Sequence, residues 1–414
     1  MPETSAQHDF ALQIVEKLRA AGFEALWAGG CVRDQLLGIE PKDYDVATSA
    51  KPDEIRNLFG HRRTLAIGVS FGVITVLGPR SAGQIEVATF RTDAAYSDGR
   101  HPDSVTFTTA QNDAARRDFT INGLFFDPIA SEVVDYVGGR EDLERKTVRA
   151  IGDPAARIAE DKLRMLRAIR FAAAFGFEIE PNTLRAIEQS AAEVTNVSPE
   201  RIGMEIRRML VDRHRVIALN TLRETNLLVH VLPEVARLDG PRWQDTRRVL
   251  ATLSDPTLPL ALAALLWQVT SPAAVNVVGR RLRYTNKEIE LAAWLLAQLE
   301  TVATASELPW PRLQRVLIHD GAAELVEMHA AIAGPDDPAV DFCRQRLAWP
   351  PERLNPPPLV DGAALIAHGL TPGPTFSRLL ELVRDAQLRN ETATPAEALV
   401  FVDRILLQGL DAPP

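Results

Sequence analysis

With only two cysteines, Cys31 and Cys343, in 414 residues, the chain has neither a disulfide framework nor a cysteine metal site. No run of eighteen apolar residues occurs, which argues against a membrane-spanning helix. Positive charge is scarce as well: 46 Lys and Arg face 55 Asp and Glu, for a net charge of −9. That balance rules out attraction of polyanions by a general positive field, so any such contact has to come from local arginine clusters. The opening Met1-Pro2-Glu3-Thr4-Ser5 is polar and unlike a signal peptide. A cytoplasmic protein is the expectation, with Cys31 as a small buried residue.

What is present is the composition of a soluble globular protein, 46% hydrophobic and 24% charged. The length exceeds a single ordinary core and predicts two or more domains. The densest chemistry follows Phe23-Glu24-Ala25-Leu26-Trp27-Ala28, a short apolar run that reads as a buried strand. Gly29-Gly30 at its exit allows a tight turn, and Val32 to Leu37 then reads as a helix. Free N–H groups at such a helix start suit a phosphate, with Arg33 beside them. Asp43-Tyr44-Asp45 comes next, in a β-prone setting that points both carboxylates to one face. Paired carboxylates repel unless a cation lies between them, and hard oxygen ligands suit Mg²⁺.

Further along, Gln84 to Arg91 reads as a strand with Glu86 among apolar neighbours. A buried acid needs a partner: a third metal-side carboxylate or an ion pair with an arginine explains it equally. Residues 92–111 are polar and aperiodic, a long loop of the kind that is usually functional or disordered. Arg116 and Arg117 follow; they suit a triphosphate or a nucleotide sugar, or they pair with Asp113 and Asp118 on the surface. From Asp153 the pattern is helical. Asp161, Arg164, Arg167 and Arg170 recur every third residue and drift slowly round one helix face. Three arginines without interleaved acids point to a polyanion. Ser198-Pro199 then opens another helix, which carries Arg207 and Arg208.

Together these segments resemble the class II tRNA nucleotidyltransferase and bacterial poly(A) polymerase family, within the DNA-polymerase-β-like superfamily. Gly29-Gly30-x-Val32-Arg33-Asp34 with Asp43-x-Asp45 is similar to its metal-binding motif. Arg116-Arg117-Asp118-Phe119-Thr120 resembles its ribose motif, and Glu160-Asp161-x-x-Arg164 its nucleotide-selecting motif, with Arg167 and Arg170 on the triphosphate side. Ser198-x-Glu200-Arg201-Ile202-x-x-Glu205 resembles the bracing helix. Beyond residue 215 the chain resembles the subfamily with an HD phosphohydrolase-like body. Asp245-Thr246 and Trp267-Gln268 stand where that body carries metal ligands, and Trp and Gln are poor ligands. His319-Asp320 spells the dipeptide in a different context.

The resemblance implies an α+β fold: an N-terminal nucleotidyltransferase head with a mixed sheet (1–140), then an all-α neck (141–215), a degenerate HD-type body (216–335) and an RNA-binding tail (336–414). It further implies CMP and AMP addition to a tRNA 3′ end from CTP and ATP. Asp43 and Asp45 would bind Mg²⁺, Glu86 would assist catalysis, and the nucleotide would meet Gly29, Gly30, Arg33, Arg116, Arg117, Asp118, Asp161, Arg164, Arg167 and Arg170. In the family a shortened loop at 92–111 accompanies CC-only addition, and here the loop is intact. The competing readings are A-only addition or poly(A) synthesis, a non-catalytic RNA-binding protein and an HD-type hydrolase. Either a monomer or a homodimer fits.

Overall fold

The computed structural model describes residues 5–93, 105–271 and 273–408. They fall into two compact units, Met1–Asp239 with Arg280–Tyr284, and Gly240–Gly279 with Thr285–Pro414.

In the first unit α1 (Ala6–Ala20) starts at Ser5, whose hydroxyl accepts from the His8 N–H at 3.2 Å. Its Ile14, Val15 and Leu18 recur at helical spacing and are buried. The chain enters β1 (Ala25–Ala28), buried throughout, and turns into α2 (Gly30–Leu36). It continues through β2 (Asp45–Thr48), α3 (Pro52–Phe59), β3 (Thr64–Leu65), β4 (Val73–Leu77) and β5 (Gln84–Thr89). A short ribbon follows, β6 (Arg91–Asp93) antiparallel to β7 (Val105–Phe107). Next come α4 (Ala110–Ala115), β8 (Phe125–Asp127) and β9 (Glu132–Val134).

Seven of these strands form one sheet in the order β3-β4-β5-β2-β1-β8-β9. All neighbours are antiparallel except β2 and β5, whose parallel register sets Asp45 beside Glu86. This mixed sheet, followed by helices, is the expected α+β class. The segment 92–111 is not one loop: β6, β7 and the start of α4 occupy part of it. Three-residue strands are too short to register as period-two alternation. Residues 94–104 of that expected loop lie outside the described residues.

The remainder of the first unit is α5 (Gly139–Glu144), β10 (Thr147–Val148), α6 (Pro154–Glu160), α7 (Leu163–Phe175), β11 (Glu178–Ile179), α8 (Pro181–Ser190), α9 (Pro199–Leu210) and α10 (Arg215–Glu224). Within this otherwise helical stretch β10 and β11 make a two-residue parallel pair. Helix α9 begins as read, with Ser198 at its N-cap and Pro199 in its first turn. Two short helices, Leu227–Val231 and Pro233–Ala236, complete the path to the second unit.

The second unit is helical. Leu258–Leu266 is buried at every position, the mark of a helix with no solvent face. Asn286–Ala303 starts with a capping box formed by Thr285 and Glu288. Towards the C-terminus, Leu365, Leu379, Val383, Ala398 and Val402 form a separate apolar cluster. Among the described residues no helix is long and apolar enough to cross a membrane.

Candidate active site

Gly29 is held at φ +73°, and a Cβ there would lie 2.9 Å from Arg117 Nη1. The backbone angle demands glycine, and a Cβ there would also displace the tip of Arg117. The Gly29 N–H donates to the Leu124 carbonyl at 3.0 Å. The amides that face an anion are therefore those of the first turn of α2. Arg33, only 8% exposed, donates from Nη1 to Asn122 Oδ1 at 2.6 Å and from Nε and Nη2 to Asp34 Oδ1 at 2.8 and 2.7 Å. Its guanidinium also lies 4.6 Å over the Phe175 ring. An arginine fixed on three sides is preorganised for a planar anion.

Tyr44 is buried edge-on to Trp27, at 4.9 Å between ring centroids, while Asp43 and Asp45 on either side of it are exposed. Both carboxylates are exposed beside the buried Tyr44, but β2 starts only at Asp45, so Asp43 precedes the strand rather than sharing it. Glu86 corrects the sequence reading. It is exposed rather than buried, because β5 turns Ile85 and Val87 inward and Glu86 outward. Desolvation and then the neighbouring Glu86 charge push the Asp45 carboxyl up to about 6, with Asp43 adding to the rise and Arg117 opposing it. Carboxylates crowded in this way favour a bound cation. Among the described residues no three His, Cys, Asp or Glu side chains gather closely enough to hold a metal alone. The pair fits Mg²⁺, which takes one or two carboxylates and completes its shell with water and substrate phosphate.

The arginine side is organised differently. Asp113 is 2% exposed and accepts from Arg116 Nε and Nη2 at 2.9 and 2.8 Å, and from Arg117 Nε and Nη2 at 3.2 and 3.0 Å. Burial alone would push its carboxyl up, but Arg117 and Arg116 hold it below the usual carboxylate range. Asp118 does not pair with those arginines, as the surface reading had it. Its Oδ2 accepts from Arg167 Nε and Nη2 at 2.8 and 2.6 Å, and its Oδ1 from the Phe119 N–H and Asn122 Nδ2 at 2.8 and 3.1 Å. Against its burial, Arg167 keeps Asp118 below the ordinary carboxylate value.

The expected helix face of Asp161, Arg164, Arg167 and Arg170 is also corrected. Helix α6 ends at Glu160, Asp161 caps it in extended conformation (φ −145°), and α7 begins at Leu163. The break turns Asp161 towards α9, where Arg201 grips it bidentately at 3.1 and 2.7 Å. The arginines of α7 do have acids, supplied by other elements. Arg164 donates to Glu160 at 2.6 Å, Arg167 to Asp118, and Arg170 to the buried Glu205, which Arg208 approaches at 3.4 Å.

These groups converge on one cavity of about 580 Å³. Its wall includes all ten predicted nucleotide contacts, Gly29, Gly30, Arg33, Arg116, Arg117, Asp118, Asp161, Arg164, Arg167 and Arg170, together with Asp45. Asp43 and Glu86 are not in the wall and reach it only through their effect on Asp45. Nine arginines and three aspartates line it, so an anion is the ligand it suits. Sequence reasoning missed Arg91 and Asn122, both in the wall. Asn122 links Arg33 to Asp118, and only its place four residues beyond Asp118 in the same motif hinted at it.

Comparison with known proteins identifies the family. Residues 25–149 match the poly(A) polymerase head domain, and residues 176–238 match a domain described as a probable RNA- and SrmB-binding site of polymerase A. A CCA-adding enzyme of Limosilactobacillus fermentum is 34% identical over 410 residues, covering 95% of this chain and 96% of the relative. The structure of a CCA-adding enzyme of Bacillus stearothermophilus in complex with CTP aligns with a TM-score of 0.80 at 29% identity, covering 98% of this chain and 99% of that one. A Thermotoga maritima CCA-adding enzyme, at 19% identity and a TM-score of 0.65 over 96% and 95% of the two chains, shows the shared fold. The chain belongs to the CCA-adding enzyme family of nucleotidyltransferases, whose members are generally metal-dependent.

Proposed function

We propose that this protein adds CMP and AMP to the 3′ end of tRNA from CTP and ATP, releasing pyrophosphate, with side chains rather than a nucleic-acid strand choosing the base. The carrying observation is the cavity in which a glycine turn, a carboxylate edge and an arginine wall meet. Relatives that share most of this chain's length are CCA-adding enzymes, and one neighbouring structure holds CTP.

In this reading the RNA 3′-hydroxyl attacks the α-phosphorus in line, the new O–P bond forms, and the bond to pyrophosphate breaks. Gly29, Gly30 and Arg33 hold the triphosphate. Arg167 and Arg170 stand on its anionic side, and Arg116, Arg117 and Asp118 face the ribose. Cytosine and adenine both present an exocyclic amino donor. Asp161 accepts from that group, and Arg164 donates to the ring acceptor beside it. Each is already fixed by a protein partner, yet each retains an unused lone pair or N–H. Asp43 and Asp45 would hold Mg²⁺, with Glu86 next to them. When bound, the ion supplies charge neutralisation at the attacking and leaving oxygens. The rest of the acceleration comes from positioning and fixed electrostatics. The proposed setting is the cytoplasm.

Poly(A) synthesis is the second reading, favoured by the head-domain match. An extension assay separates the two. tRNA transcripts lacking CCA, ending in C and ending in CC are incubated with Mg²⁺ and CTP, ATP or both, beside an unstructured RNA. Growth of every tRNA to CCA and no further is expected. Extension of the CC-ending tRNA alone would make it an A-adding enzyme. A long A tract on the unstructured RNA would make it a poly(A) polymerase, and no extension at all would overturn the catalytic reading.

A further inference from the structure

We infer that Asp113, a buried acid outside the cavity wall, is a positioning residue that sets the two sugar-facing arginines. The inference depends on the reading that Arg116 and Arg117 contact the ribose. Arg116 and Arg117 are adjacent in sequence at the end of α4, and two neighbouring guanidinium groups repel one another. Asp113 lies between them, one carboxylate oxygen for each: Oδ1 takes Nε and Nη2 of Arg116, and Oδ2 takes Nε and Nη2 of Arg117. Oδ1 also accepts the Arg91 N–H at 3.2 Å, and the Arg91 carbonyl accepts from Arg116 Nε at 2.9 Å. This closes a ring that ties α4 to the start of β6.

The consequence is directional. With its Nε and Nη2 edge bound to Asp113, Arg117 turns Nη1 and the outer Nη2 N–H away from that acid. Nη1 donates to the Asn122 carbonyl at 3.3 Å and lies 2.9 Å from where a Cβ on Gly29 would be. Asp113 thus aims the outer end of Arg117 at the glycine turn, where sugar and phosphate meet in the proposed pose. At 2% exposure it touches no ligand itself; it acts through the two arginines.

The test is steady-state extension of a tRNA lacking CCA, with CTP and with 2′-deoxy-CTP, for wild type, Asp113→Asn, Asp113→Glu and Arg117→Ala. Misaimed arginines raise KM for CTP by about tenfold or more and narrow the preference for CTP over the deoxynucleotide. The apparent kcat of correctly folded protein, normalised by active-site titration, falls less. A merely structural acid would lower the active fraction and leave both KM and ribose preference at wild-type values; that result overturns the inference. Should Asp113→Asn not fold, Asp113→Glu decides, because it keeps the charge and displaces it by one methylene. Raised KM in the glutamate variant supports positioning, and wild-type KM with wild-type ribose preference rejects it. Arg117→Ala keeps the two readings apart. Full ribose preference in that variant sinks the ribose assignment, and with it the inference. Lost preference there beside intact preference in both Asp113 variants sinks the inference alone.

Discussion

Two edges of the same cavity treat their acids in opposite ways. On the arginine edge Asp113, Asp118, Asp161 and Glu205 are each gripped by at least one guanidinium, and the arginines hold the Asp113 and Asp118 carboxyls down. On the carboxylate edge Asp45 faces Glu86 and Asp43 and is pushed up to about 6. The first edge is electrostatically complete before a nucleotide arrives, whereas the second is left in mutual repulsion. A site that has to bind a polyphosphate and a cation together gains from this division: the arginines are preorganised without cost at the moment of reaction, and the carboxylates keep their demand for positive charge.

The sharpest way to break the comparison is to neutralise one acid on each edge. Asp45→Asn should lower extension by about a thousandfold or more, and it should not lower stability. Its carboxyl is raised in the folded chain, so the folded state prefers the protonated form; stability from this group is present at low pH and is lost as pH rises through about 6. Above that value the neutral asparagine relieves repulsion. Melting temperature and primer extension measured on one sample check both statements. A melting temperature well below wild type would contradict the frustrated edge.

Asp118→Asn should, in contrast to Asp45→Asn, lower stability. Removing one partner of this part-buried pair should cost about 1–2 kcal/mol, less than the buried-pair value because Arg167 is partly solvated, and Arg167 would be left without its bidentate acceptor. Asp118 is held below its ordinary value of 3.8 in the folded chain. Its contribution is therefore complete above that value and is lost as pH falls through the lower folded one. Urea titrations from neutral pH downward should show the gap between wild type and variant closing in strongly acidic solution. A gap independent of pH would mean that shape and not charge holds the pair.

A smaller effect sharpens the carboxylate side. Mg²⁺ added to the wild type without nucleotide should raise the melting temperature by about 2–4 °C per kcal/mol of binding free energy. The rise should be absent in Asp45→Asn. Because a proton competes with the cation at Asp45, the shift should be larger one unit above pH 6 than one unit below it. Equal shifts in both proteins would place the cation elsewhere.

The sequence exposes the two edges unequally, and the reason is physical. Asp43, Asp45, Gly29 and Gly30 are local: their turn, alternation and strand all lie within seventeen residues of one another, so short-range rules reach them. Strand β5 misleads because Glu86 lies between Ile85 and Val87, which looks like burial along the chain but is alternation across a sheet. The arginine edge is harder. Arg167 and Arg170 look uncompensated because Asp118 and Glu205 are supplied from 49 and 35 residues away. No periodicity reports such a pairing. The break at Asp161 was hidden for the opposite reason, since the residues on both sides of it are good helix formers and only the cap geometry shows that the helix stops. The fold class was readable from motif order, while the β10 and β11 pair, two residues each, was too short to leave a pattern.

The smallest effect belongs to the second unit, where the sequence alone leads to the expectation of a hydrolase-type body with its ligands replaced. Trp267 caps the wholly buried helix Leu258–Leu266, and its indole Nε1 is buried with no hydrogen-bond partner. Burying an unpaired donor costs stability, so Trp267 is retained for packing and not for its N–H. Trp267→Phe removes the donor and keeps an aromatic ring. Its free energy of unfolding should stay within about 0.5 kcal/mol of wild type, the ordinary range for substitutions that lose no contact of note. Gln268→Ala, at a half-buried position beyond the helix end, should likewise leave extension rates and KM for CTP unchanged. Both follow if this region contributes shape alone. A fall in turnover in either variant at unchanged stability, or a metal-dependent phosphatase activity that persists in Asp45→Asn, would give the second unit a chemistry of its own and end its use as the inert reference for the two edges.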